Sequence, residues 1–120
     1  MLLRILKHYA DIVQDIQVER FRRVGTSYEL KVVVFLRDGS KLYVKDYLYQ
    51  DGSRKYAYQW QKKRGQNVGR WDNSPHWPNL KTFPHHFHNG QSSTVKSSNI
   101  RNLESVLKYI RKQLAIDPRV

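Results

Sequence analysis

Apolar residues recur at helical spacing at the two ends of this chain and alternate with polar ones between them. Leu2, Leu3, Ile5, Leu6 and Tyr9 gather on one side of a helix that the pattern ends near Asp11 to Gln14. Ile16 and Val18 then alternate with Gln17 and Glu19, as in a half-buried strand, and Gly25-Thr26-Ser27 supplies a turn. Leu30, Val32, Val34 and Leu36 alternate with Lys31, Val33, Phe35 and Arg37 in a second strand. Asp38-Gly39 follows, a hairpin signal because this pair tolerates the positive φ of a type I′ turn. Leu42, Val44 and Tyr47 lie on the return strand, and Asp51-Gly52-Ser53 makes the next turn. Tyr56, Tyr58 and Trp60 stand at period two on one face of a fourth strand. Gly65-Gln66-Asn67 turns again, into a short fifth strand over 67–71.

At the far end Leu103, Val106, Leu107, Ile110 and Leu114 form the stripe of a helix docked on the sheet, with Asn102 placed to cap it and Pro118 to end it. The polar run from Gly90 to Asn99 reads as a mobile connection. The expected fold is α+β: a single antiparallel sheet, a meander of about five strands, with an N-terminal and a C-terminal helix. One domain over 1–120 accommodates it.

The chain carries 22 basic against 10 acidic residues, a formal net charge of +12. That excess calls for an anionic partner: RNA, DNA or an acidic protein surface. Arg20, Arg22 and Arg23 form one basic cluster and Lys62, Lys63 and Arg64 another. The absence of cysteine excludes disulfides, thiolate metal sites and a cysteine nucleophile, and is compatible with a reducing cytoplasm. Arg4 and Lys7 interrupt the first apolar run and no small-residue cleavage site follows, unlike a signal peptide. No stretch has the apolar length to span a bilayer, so the expectation is a cytoplasmic protein without a membrane partner. No phosphate-binding glycine loop, dinucleotide fingerprint or serine elbow appears.

The candidate chemistry lies between Trp71 and His88. This segment holds four of the five histidines, three of the four prolines and two of the three tryptophans. Prolines at 75, 78 and 84 force an irregular path. Metal-free RNA cleavage needs a base, an acid and cations for the phosphorane charge. His76 and His86 can be base and acid in either order. Arg70 and Lys81 can hold the phosphate, and Asp72 can fix an imidazole tautomer. In an extended run His86 and His88 share a face while His85 points away, so 86 and 88 act jointly. The same His76, His86, His88 and Asp72 also compose a ligand set for a divalent metal ion. Proton transfer asks for only two imidazoles around one phosphate, so the expectation is no cofactor, with a metal as the alternative. The histidines can also simply satisfy loop carbonyls, and Asp72-Asn73-Ser74-Pro75 is a natural turn. Tyr58, beside Lys62, Lys63 and Arg64, is a candidate for base stacking. The competing reading makes Tyr56, Tyr58 and Trp60 core.

Lys55-Tyr56-Ala57-Tyr58-Gln59-Trp60, Arg70 to His76, Thr82 to His88 and Asn102 to Leu107 together resemble the TumE family of toxin–antitoxin toxins. The family pattern runs approximately K-Y-S-Y-H-x-Q, R-Y-D-N-A-P-H-H, T-F-P-H-H-K-H and T-L-E-E-V-L. The resemblance covers the chain from about residue 28 to the last helix. Trp77 stands where the family has a second histidine, Phe87 where it has lysine and Trp71 where it has tyrosine. The resemblance implies a cytoplasmic toxin neutralised by a cognate antitoxin. With the histidine cluster it suggests a histidine-dependent endoribonuclease, as a monomer or a homodimer. The alternatives are a non-catalytic nucleic-acid-binding or protein-interaction module, or a metal-dependent nuclease.

Overall fold

The computed structural model describes residues 2–90, 92 and 94–116. In chain order the elements are α1 (Leu2–His8), β1 (Val13–Val24), β2 (Ser27–Leu36), β3 (Lys41–Leu48), β4 (Arg54–Gln61), β5 (Asn67–Asp72), β6 (His86–Asn89), β7 (Val95–Ser97) and α2 (Leu103–Ile116). The strands form one antiparallel sheet in sequence order, an α+β meander of seven strands rather than about five. The two extra strands lie where sequence pattern is weakest. β6 emerges from the proline-rich segment, and β7 is three residues of the polar run expected to be a mobile connection. Residues 91 and 93 of that run lie outside the described residues, as does Pro118.

The turns set the meander. At Asp38-Gly39 the Leu36 amide donates to the Ser40 carbonyl (2.9 Å) and the Gly39 amide to the Leu36 carbonyl (3.0 Å). The same pair of bonds closes the turns at Gly52 and Gly65. In each, the glycine alone takes positive φ, and no described non-glycine residue does. The hairpin at Asp38-Gly39 is therefore a three-residue loop ending in a glycine bulge. The expected type I′ turn would also need Asp38 at positive φ. Asp38 Oδ1 accepts bonds from the Ser40 amide and hydroxyl, and Asp51 repeats this with Ser53.

Directly paired residues of an antiparallel sheet share a face. The row Val32, Val44, Tyr58, Trp71 and Phe87 crosses five strands on the face covered by the helices. With Val34, Leu42, Tyr56 and Trp60 it packs against Leu103, Val106, Leu107 and Ile110 of α2 and Leu6 and Tyr9 at the N-terminus. Each large side chain so buried contributes about 1.5–3 kcal/mol. α2 is capped as its sequence signals, the Ser105 amide donating to Asn102 Oδ1 at 2.8 Å. α1 stops at His8, before the expected Asp11 to Gln14, and Val13 already pairs with Leu36 in the sheet.

Two polar groups in this core have partners. The Trp60 indole N–H donates to Ser40 Oγ at 3.0 Å. Asp46 receives Arg54 through two nitrogens, at 2.9 and 3.0 Å, and the Tyr58 hydroxyl at 3.1 Å.

Among the described residues no helix covers the other face of the sheet. One row across it runs Arg20, Lys31, Lys45, Ala57, Asp72 and His86. The next runs Gln17, Val33, Tyr43, Gln59, Arg70 and His88. Among the described residues no helix is long and apolar enough to cross a membrane.

Candidate functional site

The motif following β5 is first a folding device. Asn73 extends the strand pairing with its side chain: Oδ1 accepts the Tyr56 amide (3.0 Å) and Nδ2 donates to the Arg54 carbonyl (2.7 Å). Asp72 Oδ1 accepts the Ser74 amide at 3.0 Å, turning the chain out of the sheet. Pro75 then has no amide to offer a ladder. The chain returns through Thr82, whose hydroxyl donates to the His85 carbonyl (2.6 Å) and accepts the Ser98 amide (2.8 Å). This ties the entrance of β6 to the segment after β7.

β6 then alternates. Phe87 turns into the core against Trp71, ring centroids 4.9 Å apart. His86 and His88 turn to the open face, as their spacing predicts. His86 is 1% exposed and Asp72 4%. His86 Nδ1 lies 2.9 Å from the Pro84 carbonyl, an acceptor only, so Nδ1 carries the hydrogen. Its Nε2 lies 2.9 Å from Asp72 Oδ1 and 3.0 Å from His88 Nε2. His88 Nε2 stands 3.7 Å from Asp72 Oδ2. Arg70 Nε donates to Asp72 Oδ2 at 2.9 Å while Nη1 donates to Gln59 at 2.8 Å. Trp77 overhangs the pair, its ring centroid 6.4 Å from His86 and 6.3 Å from His88. His88 is the accessible imidazole, with about a third of its side chain exposed.

Burial lowers the His88 pKa, against the opposing attraction of Asp72. Burial also lowers that of His85, aided by the charges of Arg101 and Arg54. His85 faces away from the cluster, as expected, and shares a 2.8 Å hydrogen bond with the Tyr56 hydroxyl. Burial pushes that hydroxyl up to about 12.

Beside the cluster the open face holds a hollow of about 190 Å³, lined among others by Lys31, Lys45, Ala57, Gln59 and Arg70, with Glu19 as its one acidic residue. Burial, then the like charges of Lys55, Lys31 and Arg70, lowers the Lys45 pKa. The small Ala57 leaves the floor of this hollow low between Lys45 and Asp72, its direct neighbours across the sheet. A larger hollow of about 340 Å³ at the other end of the sheet, near Tyr28 and Tyr49, gathers no comparable set of donors.

Of the sequence candidates, the structure brings Asp72, His86, His88 and Arg70 together. His76 and Lys81 are exposed on the intervening loop, and His76 is not among the donors that converge. Lys62, Lys63 and Arg64 occupy the exposed β4–β5 turn. Tyr58 is not the stacking residue expected: it is completely buried, bonded to Asp46 and Arg54, and no face of its ring is open to a base. The Tyr56–Tyr58–Trp60 stripe is core. Sequence reasoning missed Lys31, Lys45 and Gln59. Alternation alone puts Lys31 and Lys45 opposite the core face, but their meeting with Arg70 depends on the register of four strands.

These observations define a class: a small α+β protein rich in cationic residues, with an Asp–His–His cluster at the end of a basic row on an open sheet face. The family model described as Toxin TumE matches residues 2–114, and the chain belongs to that family. The match reaches back through the first helix, beyond the stretch in which the motifs resemble it. No curated protein and no solved structure matches the chain.

Proposed function

We propose that this toxin cleaves RNA, binding its backbone along the open face and acting on one phosphodiester at the Asp72–His86–His88–Arg70 cluster. The observation that carries the reading is the row Arg20, Lys31, Lys45, Ala57, Asp72, His86: beyond an Arg20 paired with Glu29, two lysines without a carboxylate partner among the described residues lead into the cluster across the sheet. The cations around the hollow repel one another, and a phosphate among them relieves that repulsion. Arg70 is fixed by Asp72 and Gln59 through Nε and Nη1. Among the described residues its Nη2 has no partner and is available to a phosphate oxygen. A guanidinium in that position stabilises charge that grows on the phosphorane. His86 is too buried to touch RNA and supports the site. His88 is the imidazole that reaches it.

A cognate antitoxin neutralises such a toxin by covering this face with an acidic surface. The test is direct. Purified protein is incubated with a mixed pool of single-stranded RNAs and the products are resolved by length. Internal cleavage that disappears with Arg70→Lys and with antitoxin is expected. Intact RNA throughout, from a preparation that still inhibits growth, would sink the reading in favour of a non-catalytic binding module.

A further inference from the structure

We propose that Asp72, His86 and His88 hold one divalent transition-metal ion, which deepens the RNA-cleavage reading by naming how the cluster acts and rests on that reading only for its chemistry. The Pro84 carbonyl, 2.9 Å from His86 Nδ1, places a hydrogen on that nitrogen. A neutral imidazole with hydrogen on Nδ1 presents a bare lone pair at Nε2. That lone pair points at a carboxylate oxygen 2.9 Å away and at a second imidazole nitrogen 3.0 Å away. Three electron-rich atoms thus converge at a nearly dry point. Without a proton or a metal ion between them the arrangement is repulsive. A proton on His86 Nε2 points toward one of its two neighbours; a metal ion accepts electron pairs from all three.

The spacing suits an ion. At metal–donor distances of about 2.0–2.2 Å, two donors at right-angle to tetrahedral geometry lie about 2.8–3.6 Å apart. The two separations from His86 Nε2, 2.9 and 3.0 Å, fall in that window, and the third, 3.7 Å between His88 Nε2 and Asp72 Oδ2, lies just beyond it. The three residues offer ligand atoms all within 4.8 Å of one another. They come from the rigid β5–β6 pairing, where Asp72 and His86 are direct partners and His88 is the next residue on the same face. Outer contacts orient them as metal sites require. Pro84 fixes the His86 ring. The Ser74 amide holds Asp72 Oδ1 and Arg70 holds Oδ2, leaving a lone pair of Oδ1 for the ion.

Two imidazoles and one carboxylate, with no thiolate, select a borderline ion such as Zn²⁺, Mn²⁺, Fe²⁺ or Co²⁺ over Mg²⁺. Three protein ligands leave coordination positions open, the mark of a catalytic rather than a structural site. The partly exposed His88 lies on their solvent side under Trp77. An RNA phosphate held by Arg70 and Lys45 can place an oxygen in an open position. His76, which the sequence suggested as a ligand, is not needed.

The experiment is calorimetric titration of Zn²⁺ into the chelator-stripped full chain, with elemental analysis and the visible spectrum of the Co²⁺ form. Expected are one ion per chain, a Co²⁺ spectrum of low coordination number and a rise in unfolding temperature. Asp72→Asn and His88→Gln should each weaken binding roughly tenfold or more while circular dichroism stays that of the parent. His86→Ala should do the same; if it does not fold, the partly exposed His88 position decides. Absence of binding in the folded parent, or binding unchanged in folded Asp72→Asn and His88→Gln, overturns the site. One bound ion together with uncleaved RNA would retain the metal and sink the nuclease. RNA cleavage persisting in the chelator-stripped chain would retain the nuclease and overturn the ion's part in its chemistry.

Discussion

The ring of Phe87 closes on Gly69 so tightly that a Cβ at residue 69 would lie 2.7 Å from Phe87 Cε1 and 3.0 Å from Cζ. Phe87 is the core-facing residue of β6, and His86 and His88 flank it on the opposite face. The glycine thus lets the ring sit down on β5 beside Trp71, and the seated ring sets where the two imidazoles stand. Packing on one side of the sheet positions chemistry on the other.

Gly69→Ala should therefore destabilise the fold by about 1–3 kcal/mol, the usual cost of overpacking, and displace β6. Chemical denaturation measures the first effect and Zn²⁺ affinity the second. Phe87→Leu added to Gly69→Ala should recover part of the lost stability by removing the clashing ring edge. Equal stability of Gly69→Ala and the parent would show that the ring shifts freely and does not fix the strand.

The core was legible in the sequence because local period and burial agree there. Tyr56, Tyr58 and Trp60 alternate, and all three are buried. Leu103, Val106, Leu107 and Ile110 recur at helical spacing, and all four face the sheet. His86 and His88 share a face because any extended run makes residues two apart do so. The last two strands were not legible. β6 has four residues and β7 three, too few for a periodic signal, and their pairing comes from extending an existing sheet edge. The cationic row was hidden for another reason. Lys31 and Lys45 are paired across β2 and β3, and Arg70 lies a further two strands away, so their approach follows from long-range register. His76 looked equivalent to His86 because a sequence gives imidazole density and not convergence.

Ser40→Ala tests a polar bond inside the core. Ser40 Oγ accepts the buried Trp60 indole and donates to Asp38. Removing it leaves a buried donor without its partner, at about 1–3 kcal/mol. Ser53 occupies the same place in the next turn and bonds Asp51 in the same way, but is exposed and touches no indole. Ser53→Ala should cost clearly less. Similar losses in the two variants, by thermal unfolding, would assign the effect to the turns and not to the indole.

Charge removal separates two candidate RNA surfaces. Lys31→Ala with Lys45→Ala removes cations of the open face, and Lys62→Ala, Lys63→Ala and Arg64→Ala together remove those of the β4–β5 turn. Each phosphate that is no longer neutralised should flatten the log–log salt dependence of single-strand binding by about 0.7. The open-face pair should lower affinity more per charge, because its cations adjoin Arg70 and the cluster. Binding that survives the open-face pair and vanishes with the turn variant would move the RNA off this face.

Growth inhibition is the readout closest to function, and Arg70 is its sharpest probe. Arg70→Lys keeps the positive charge but cannot reproduce two bonds from one planar fork, to Asp72 through Nε and to Gln59 through Nη1. The charge then wanders, while the buried core is untouched. Loss of a positioned donor that stabilises transition-state charge costs roughly 10²–10³ in rate, so cells expressing Arg70→Lys should grow nearly as cells without the toxin do. His88→Ala should match it. His76→Ala, on the exposed loop, should keep more of the inhibition than either, and His8→Ala at the end of α1 should keep all of it. The expression level and circular dichroism of each variant must equal the parent's for the comparison to hold. Full toxicity of folded Arg70→Lys and His88→Ala would place the toxic action elsewhere on the molecule.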